Sequence, residues 1–493
     1  MTEQLPYILG VDIGTSSTKT IAVLRSGKVI ADSREAYPTH QPQPGRSEQD
    51  AHQLYEAILK TIRSVTAQLG YAPAAVSFSS AMHSFMAVDA AGKPLTPLII
   101  WSDNRSESYA VALRNTPQGQ AIFRQTGTPV HPMSPLCKLM WLKNQEPAIF
   151  NAAHKFIGIK EYVIYQLCEA YITDYAIASA TGLFDIRQKV WSAEALALAD
   201  ITEDRLPVAV PSAQILPPVH TALLAANGLA TSTVFVAGAS DGCLAQLGSG
   251  AINPGEAAIT IGTSGAIRTV TTHPQADETG RLFTYVLEDR YVSGGAINNG
   301  GVAVQWLAGI LTPGAFSAAA FTEDAFTVPP GCEGLLCLPY LQGERAPVWD
   351  SRASGSFANV HQHHTAAHFK RALIEGISFS LYSIVEALLT TAGPVKQVSV
   401  SGGFTASEQW IQLLADIFQL PMLLEKENDA SALGAALLGW HALKEIDMWA
   451  YNPPPGTKVF EPGKAHYETY MRNYKAFGML YHQMKQIEAV LRG

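Results

Sequence analysis

The first hundred residues run in short apolar stretches broken by polar and glycine-bearing segments, a rhythm of strands rather than helices. Runs at 8–13, 18–24, 29–35, 75–79, 86–88 and 98–101 predict strands, opening with a hairpin meander. Between them the period changes. Leu54, Ile58, Ile62 and Val65 recur at helical spacing, Asp50 stands where a cap belongs, and Gln53 completes a capping-box-like start, predicting a helix over 51–69. The Pro- and Gly-rich stretch 38–45 before it reads as a loop. The middle, 129–204, reads as mostly helical, most clearly at 136–145 and 161–171. A strand at 234–237 then ends in Gly238-Ala239-Ser240-Asp241-Gly242, which puts an aspartate at a strand's carboxyl end, where α/β folds gather ligands. Beyond it the pattern predicts a strand, turn and strand over 259–268, strands at 291–293 and 397–400, and helices over 301–310, 365–391, 407–418, 430–443 and 465–491. Gly434-Ala435-Ala436 would let another element pack close, and 452–456 reads as a stiff connector.

Within this pattern the tetrapeptide Ile-Gly-Thr-Ser occurs twice, at 13–16 and at 261–264, half a chain apart. Both copies read as strand, polar glycine turn, strand. Such a turn aims backbone N–H groups and hydroxyls into one concavity, a phosphate-binding device. The alternative is two unrelated hairpin turns built from common turn residues. The spacing favours a duplication, with a phosphate gripped from both sides. Asp12 precedes the first copy and Thr260 the second. A carboxylate beside one phosphate turn can help hold magnesium through its waters, and the second turn would work through hydroxyls and amides.

A chain of 493 residues exceeds one core, so at least two domains are expected, divided near 245–255 and taken as 1–248 and 249–493. Apolar content of 47% with 15% charged residues fits a well-buried globular protein. The net charge of −8, without basic runs, argues against nucleic acid or anionic membrane as a partner. No long uninterrupted apolar run and no signal-like N-terminus is visible, which gives a cytoplasmic expectation. Five scattered cysteines without a C-x-x-C pair read as reduced thiols. His361, His363 and His364 have no carboxylate or cysteine nearby in sequence and read as a solvated loop.

No G-x-x-x-x-G-K-[ST] occurs: the three Gly-Lys pairs continue with Val29, Pro94 and Ala465. No strand is followed by G-x-G-x-x-G. The two turns and a later glycine turn, Gly402-Gly403, match the actin-like ATPase plan: an α/β fold of two duplicated ribonuclease-H-like domains with a cleft between them. The motifs in order then resemble the FGGY carbohydrate kinases over nearly the whole length. Asp12-Ile13-Gly14-Thr15-Ser16-Ser17-Thr18-Lys19 and Ile261-Gly262-Thr263-Ser264-Gly265 are similar to the family's two phosphate loops. Glu48-Gln49-Asp50, Met133–Leu142 and Gly343-Glu344-Arg345-Ala346-Pro347 resemble further family segments. A second family signature over 355–375 fits less well, with Asn359 where glycine is usual and Leu373 also a departure. Segments around Met82-His83, Trp101–Glu107, Thr126–Met133 and Ile157–Tyr162 look most like the gluconate-phosphorylating branch, with xylulose kinases the nearest competitor.

The resemblance implies ATP and Mg²⁺ as cofactors, a sugar acid as acceptor and a family-level homodimer. It implies Asp241 as general base, which otherwise reads as a helix N-cap. Asp12 would anchor the metal, Gly14, Thr15 and Ser16 the outer phosphates, and Gly262, Thr263 and Ser264 the γ-phosphate. Gly402, Gly403 and Ser407 would line the adenosine site, although a tight turn and a helix cap explain them equally. Lys19 is either a phosphate contact or a solvent-facing strand lysine. An acid substrate needs a cation, and Arg105, Lys138, Lys160 and Arg345 are the candidates. Met82, His83 and Asp103 would meet hydroxyls, and Trp101 would stack on the sugar or serve as core. Domain closure over the substrates is expected. Outside this family, a non-catalytic ATP-binding module is the alternative.

Overall fold

The computed structural model describes the chain except 1–4, 276, 312–313, 315–316, 425–428, 454–457 and 493, so part of the expected connector at 452–456 lies outside the described residues. In the first half, β1 (Tyr7–Ile13), β2 (Ser17–Leu24) and β3 (Val29–Ala36) form the predicted meander. Helix α1 (Ala51–Leu69) follows, its first turn capped by Asp50, which accepts from the backbone N–H groups of His52 and Gln53. It ends at Gly70, whose φ of 77° closes the helix in the left-handed conformation glycine adopts without strain. β4 (Ala75–Ser80) and β5 (Val234–Ser240) lie parallel beside β1, giving the sheet order β5-β4-β1-β2-β3.

Helix α2 (Asp241–Gly248) leads into the second sheet: β6 (Glu256–Ile261), β7 (Gly265–Thr271), β8 (Phe283–Leu287) and β9 (Arg290–Ile297). After α3 (Gly301–Leu311) and α4 (Ala366–Thr391) come β10 (Gln397–Ser401), α5 (Glu408–Phe418), β11 (Met422–Leu424), α6 (Ala430–Ala442), β12 (Lys458–Phe460) and α7 (Tyr467–Arg492). The sheet order is β8-β9-β7-β6-β10-β11-β12. Three antiparallel strands followed by two parallel ones, β3-β2-β1-β4-β5, therefore recur as β9-β7-β6-β10-β11. The repeated tetrapeptide is the visible trace of a repeated sheet.

The halves are joined by a helix crossing. α6, from the second half, packs on α2 and on β1 and β4 of the first sheet. A Cβ on Gly434 would lie 2.0 Å from the carbonyl oxygen of Leu244, and one on Gly248 2.0 Å from that of Ala430. Backbone therefore meets backbone, and only glycine fits. Ile8, Ile21 and Val23 of the first sheet share one buried cluster with the second sheet and α6. A separate cluster packs the other face of the first sheet under α1.

Several sequence expectations shift. The helix expected over 161–171 runs Ile159–Cys168, and the strand Phe283–Leu287 was not anticipated. No apolar run long enough for a bilayer was anticipated, yet α4 meets that test by length and composition, and most of it is buried inside the fold as a core helix. Asn359 has φ 62°, a left-handed conformation that asparagine tolerates better than most residues, and its amide donates to Gly334 O. It thus fills the place where the resemblance expects glycine. The histidine loop does meet a carboxylate: Glu333 Oε2 lies 3.0 Å from His363 Nε2 and 3.5 Å from His368 Nε2. Chain folding supplies a neighbour that sequence distance concealed.

Candidate active site

The first glycine turn joins β1 to β2. Gly14 N–H donates to Ser17 O, the Tyr37 hydroxyl to Gly14 O, and Gln49 Nε2 to Thr15 O. With its carbonyls held from behind, the turn leaves Ser16 exposed at its tip. Asp12 sits at the carboxyl end of β1, and Ser79 Oγ donates to its Oδ1 over 2.7 Å. Burial, reinforced by the neighbouring carboxylates of Asp241 and Asp429, pushes Asp12 up to about 6 against that hydrogen bond. Lys19, opposite Asp12 on β2, reaches Asp429 at 2.5 Å and Asp32 at 3.9 Å.

The second turn joins β6 to β7 and is fixed differently. Gly300 and Val302 N–H donate to Thr263 O, and Gly301 N–H to Gly262 O, so the start of α3 is laced onto the turn. Gly262 and Thr263 stay exposed. Thr260, the counterpart of Asp12, has its hydroxyl 3.0 Å from Ser401 Oγ. Behind this turn a cavity of about 710 Å³ is lined by Gly262, Thr263, Gly301, Gly403, Phe404 and Ser407 among others. Gly402, expected to line the same site, does not line this cavity: with φ 101° and a notional Cβ only 2.5 Å from Ile261 O, it lies against the end of β6, where no other residue fits. Ser407 faces this cavity and also caps α5, its Oγ accepting from Trp410 N–H.

Asp241 begins α2. Ser240, not Asp241, is the N-cap, so the capping alternative for the aspartate falls away, and Asp241 Oδ1 accepts from Gly242 N–H. Burial raises the Asp241 carboxyl, while the Arg268 and Arg345 guanidinium groups and that N–H oppose the rise. Both arginines come from the second half, Arg268 from β7 and Arg345 from the loop after Glu344.

The sugar-side residues sort by their partners. His83, at φ 67°, is buried with Nδ1 2.7 Å from Ala180 O, and Tyr285 Oη lies 3.4 Å from its Nε2. Burial, then the charges of Lys138 and Arg345, pull His83 down to about 3, so the ring is neutral, with Nδ1 donating to Ala180 O and Nε2 accepting from the Tyr285 hydroxyl. Met82 is partly buried beside it and packs against the large core cluster. Trp101 Nε1 donates to Thr15 Oγ1 over 2.9 Å. One face of the Trp101 ring is covered by the Arg345 guanidinium, 4.6 Å from the ring centre, so that face is closed to a sugar.

Models of the FGGY family of carbohydrate kinases match the chain as an N-terminal domain over 7–248 and a C-terminal domain over 257–443. The chain belongs to the FGGY family of carbohydrate kinases. It is 41% identical over 455 residues to a gluconokinase of Bacillus subtilis, covering 90% of this chain and 89% of that one. Among solved structures it resembles a ligand-bound xylulose kinase (TM-score 0.93, 34% identity, 98% and 99% of the two chains) and a gluconate kinase (TM-score 0.92, 34% identity, 97% and 98%), both from Lactobacillus acidophilus. As an FGGY kinase it is a phosphotransferase with an alcohol acceptor and ATP as donor, on the actin-like, ribonuclease-H-like α/β fold described above.

Within this FGGY kinase, most of the cations expected to meet an acid substrate are already occupied. Arg105 Nη2 reaches Glu48 at 2.5 Å and Asp103 at 2.8 Å. Both Asp103 oxygens are taken, by Arg105 and by Ser47 N–H, so Asp103 is not an open acceptor for a hydroxyl. Lys160 is spent on a buried ion pair with Asp174, and Lys138 Nζ donates to the carbonyls of His83 and Ile100 at 2.6 and 2.9 Å. Arg345 Nε donates to Asn298 Oδ1 and Nη2 to Ile297 O. Glu344 is fully buried and accepts from Asn298 N, Asn299 Nδ2 and Arg345 N, with burial pushing it up to about 7. Sequence reasoning missed Arg268, Tyr285 and the two asparagines. The aromatic and β-branched run Phe283–Leu287 was a signal for a strand carrying Tyr285; nothing in sequence marks which way Arg268 points.

Proposed function

We propose that this FGGY kinase transfers the γ-phosphoryl group of ATP to the 6-hydroxyl of D-gluconate, giving 6-phospho-D-gluconate, between domains spanning 1–248 and 249–493. The observation that carries this reading is the pair of guanidinium groups, Arg268 and Arg345, within electrostatic reach of Asp241. Guanidinium groups beside the base offer an acid substrate a counter-charge that a neutral sugar does not need. The 41% identity to the Bacillus subtilis gluconokinase supports the same choice.

Phosphoryl transfer asks the protein mainly for positioning and charge stabilisation. In this reading Asp241 accepts the hydroxyl proton as the bond to phosphorus forms, a contribution of roughly 10²–10⁴-fold. Burial raises its pKa, which makes the ionised carboxylate a stronger base than an exposed aspartate. Gly14, Thr15 and Ser16 take the outer phosphates and Gly262, Thr263 and Ser264 the transferred group. The cavity at Gly403 and Ser407 takes the adenosine, with Gly402 setting the turn before it. Met82 and the neutral His83 border the sugar hydroxyls, and Trp101 braces the first turn. Asp12 fits a magnesium site: Ser79 binds one of its oxygens, and two further carboxylates raise its pKa, an arrangement a cation relieves. Bound there, magnesium would neutralise charge on the phosphates. With gluconate and ATP as partners the reading places the enzyme in the cytoplasm.

Xylulose is the second reading, because a xylulose kinase overlays this chain as well as a gluconate kinase does. Coupled ADP-release assays with gluconate, xylulose, ribulose and glycerol side by side decide between them. Gluconate turnover well above the rest is the expected result; turnover of a neutral sugar without gluconate overturns the assignment.

A further inference from the structure

Resting on the gluconate reading, we propose that Arg268 receives the substrate carboxylate and makes this site selective for sugar acids. The four cations that the sequence offers for an acid substrate are already committed: Arg105 to Asp103 and Glu48, Lys160 to Asp174, Lys138 to backbone carbonyls, and Arg345 to Asn298 and Ile297. Arg268 differs. Its Nε is buried with no hydrogen-bond partner among the described residues. A buried guanidinium N–H left unpaired is costly, so an acceptor is expected to complete it.

The side chain is also fixed in place. A Cβ on Gly242 would lie 2.9 Å from Arg268 Nε, so the absence of a side chain at Gly242 makes the room in which the guanidinium lies, beside Asp241. Asp241 and Arg268 influence one another electrostatically, yet no N···O distance between them falls within 4.0 Å, so they are not closed into an ion pair. Arg268 stands three residues past Gly265, about 10 Å along the strand from the second phosphate turn. Tyr285, within electrostatic reach of Arg268, puts its hydroxyl 3.4 Å from His83, on the sugar side of the cleft. The guanidinium therefore faces the acceptor rather than the nucleotide. A substrate with its hydroxyl at Asp241 and its carboxylate at Arg268 is held at two points, one from each half of the chain, and planar, two-pronged pairing of a guanidinium with a carboxylate supplies the selectivity.

The test compares gluconate with gluconamide, its neutral carboxamide counterpart, in wild type, Arg268→Met, Arg268→Gln and Arg268→Lys. Assays run across a range of pH, so that a displaced Asp241 limb is not mistaken for a change of preference. Wild type is expected to prefer gluconate, and Arg268→Met or Arg268→Gln to lower that preference roughly 10- to 100-fold, through KM for gluconate, the loss expected for one charge-assisted hydrogen bond. Arg268→Lys recovers part of it. KM for ATP and protection from thermal unfolding by Mg-ATP stay at wild-type values, which also shows that the variants fold. Equal losses on both substrates would mean that Arg268 serves the transferred phosphoryl group, and that result, or an unchanged preference, overturns the proposal. Wild type that phosphorylates xylulose and ignores gluconate fails the underlying reading instead, and is recognised without any variant.

Discussion

The two glycine turns share four residues and are built on matching sheets, yet they are held in opposite ways. The first is gripped from behind by side chains, Tyr37, Gln49 and Trp101, with Asp12 at its root. The second is gripped by backbone, the opening N–H groups of α3, with Thr260 where Asp12 would be. The difference teaches that a duplicated scaffold can divide labour without changing its turn: the half with the carboxylate suits a metal ion, and the half without one offers hydroxyls and amides to a group that must move.

Substitutions can break this asymmetry, and the largest effect is expected beside it. Asp241→Asn should lower kcat by about 10²–10⁴-fold while Mg-ATP still raises the melting temperature; near wild-type turnover would remove Asp241 from the chemistry. Asp12→Asn should cost about 10²-fold and raise the magnesium concentration needed for half-maximal rate, because only the first turn carries a carboxylate. An unchanged magnesium titration would make the two turns equivalent. Thr263→Ala removes a hydroxyl from the second turn and should cost about 10-fold in kcat, the scale of one hydrogen bond, without moving the magnesium titration.

Gly434→Leu tests the crossing that holds the turns in register. Overpacking against Leu244 should destabilise the fold by about 1–3 kcal/mol or more in urea denaturation, whereas Gly403→Ala, where a Cβ meets nothing within 4 Å, should not. The smallest effect is a pH limb. The Asp241 carboxyl is raised and must be ionised to accept a proton, so kcat/KM should fall with decreasing pH through a midpoint above the ordinary carboxylate range. Arg268→Met removes a cation that opposes the rise and should move that midpoint higher still. An acid limb at the ordinary carboxylate value in both would contradict the burial of Asp241.

Much of this was legible in sequence because it is local. The Asp50 cap, the period of Leu54, Ile58, Ile62 and Val65, the two turns and the strand leading to Asp241 depend on residues within one element. What stayed hidden depends on contacts across the fold. Lys160 looked free until the chain brought Asp174 to it, and Arg345 lies on a loop whose partners, Asn298 and Ile297, close β9. Arg268 alternates on a strand with apolar neighbours, and only the fold puts Gly242 opposite it. Cation assignments were therefore the weakest part of the sequence reading, because charge pairing is a long-range property.

The helix crossing at Gly248 and Gly434 has a mechanical side. Interlocked side chains act as teeth, and turning one helix against another must lift them out of their rotamer wells. At Gly248 and Gly434 bare backbone lies on bare backbone at the junction of the two sheets. Where those two glycines meet, no tooth stands between the helices, so a small change of crossing angle is resisted only by the leucines around them, Leu244, Leu247, Leu433 and Leu437.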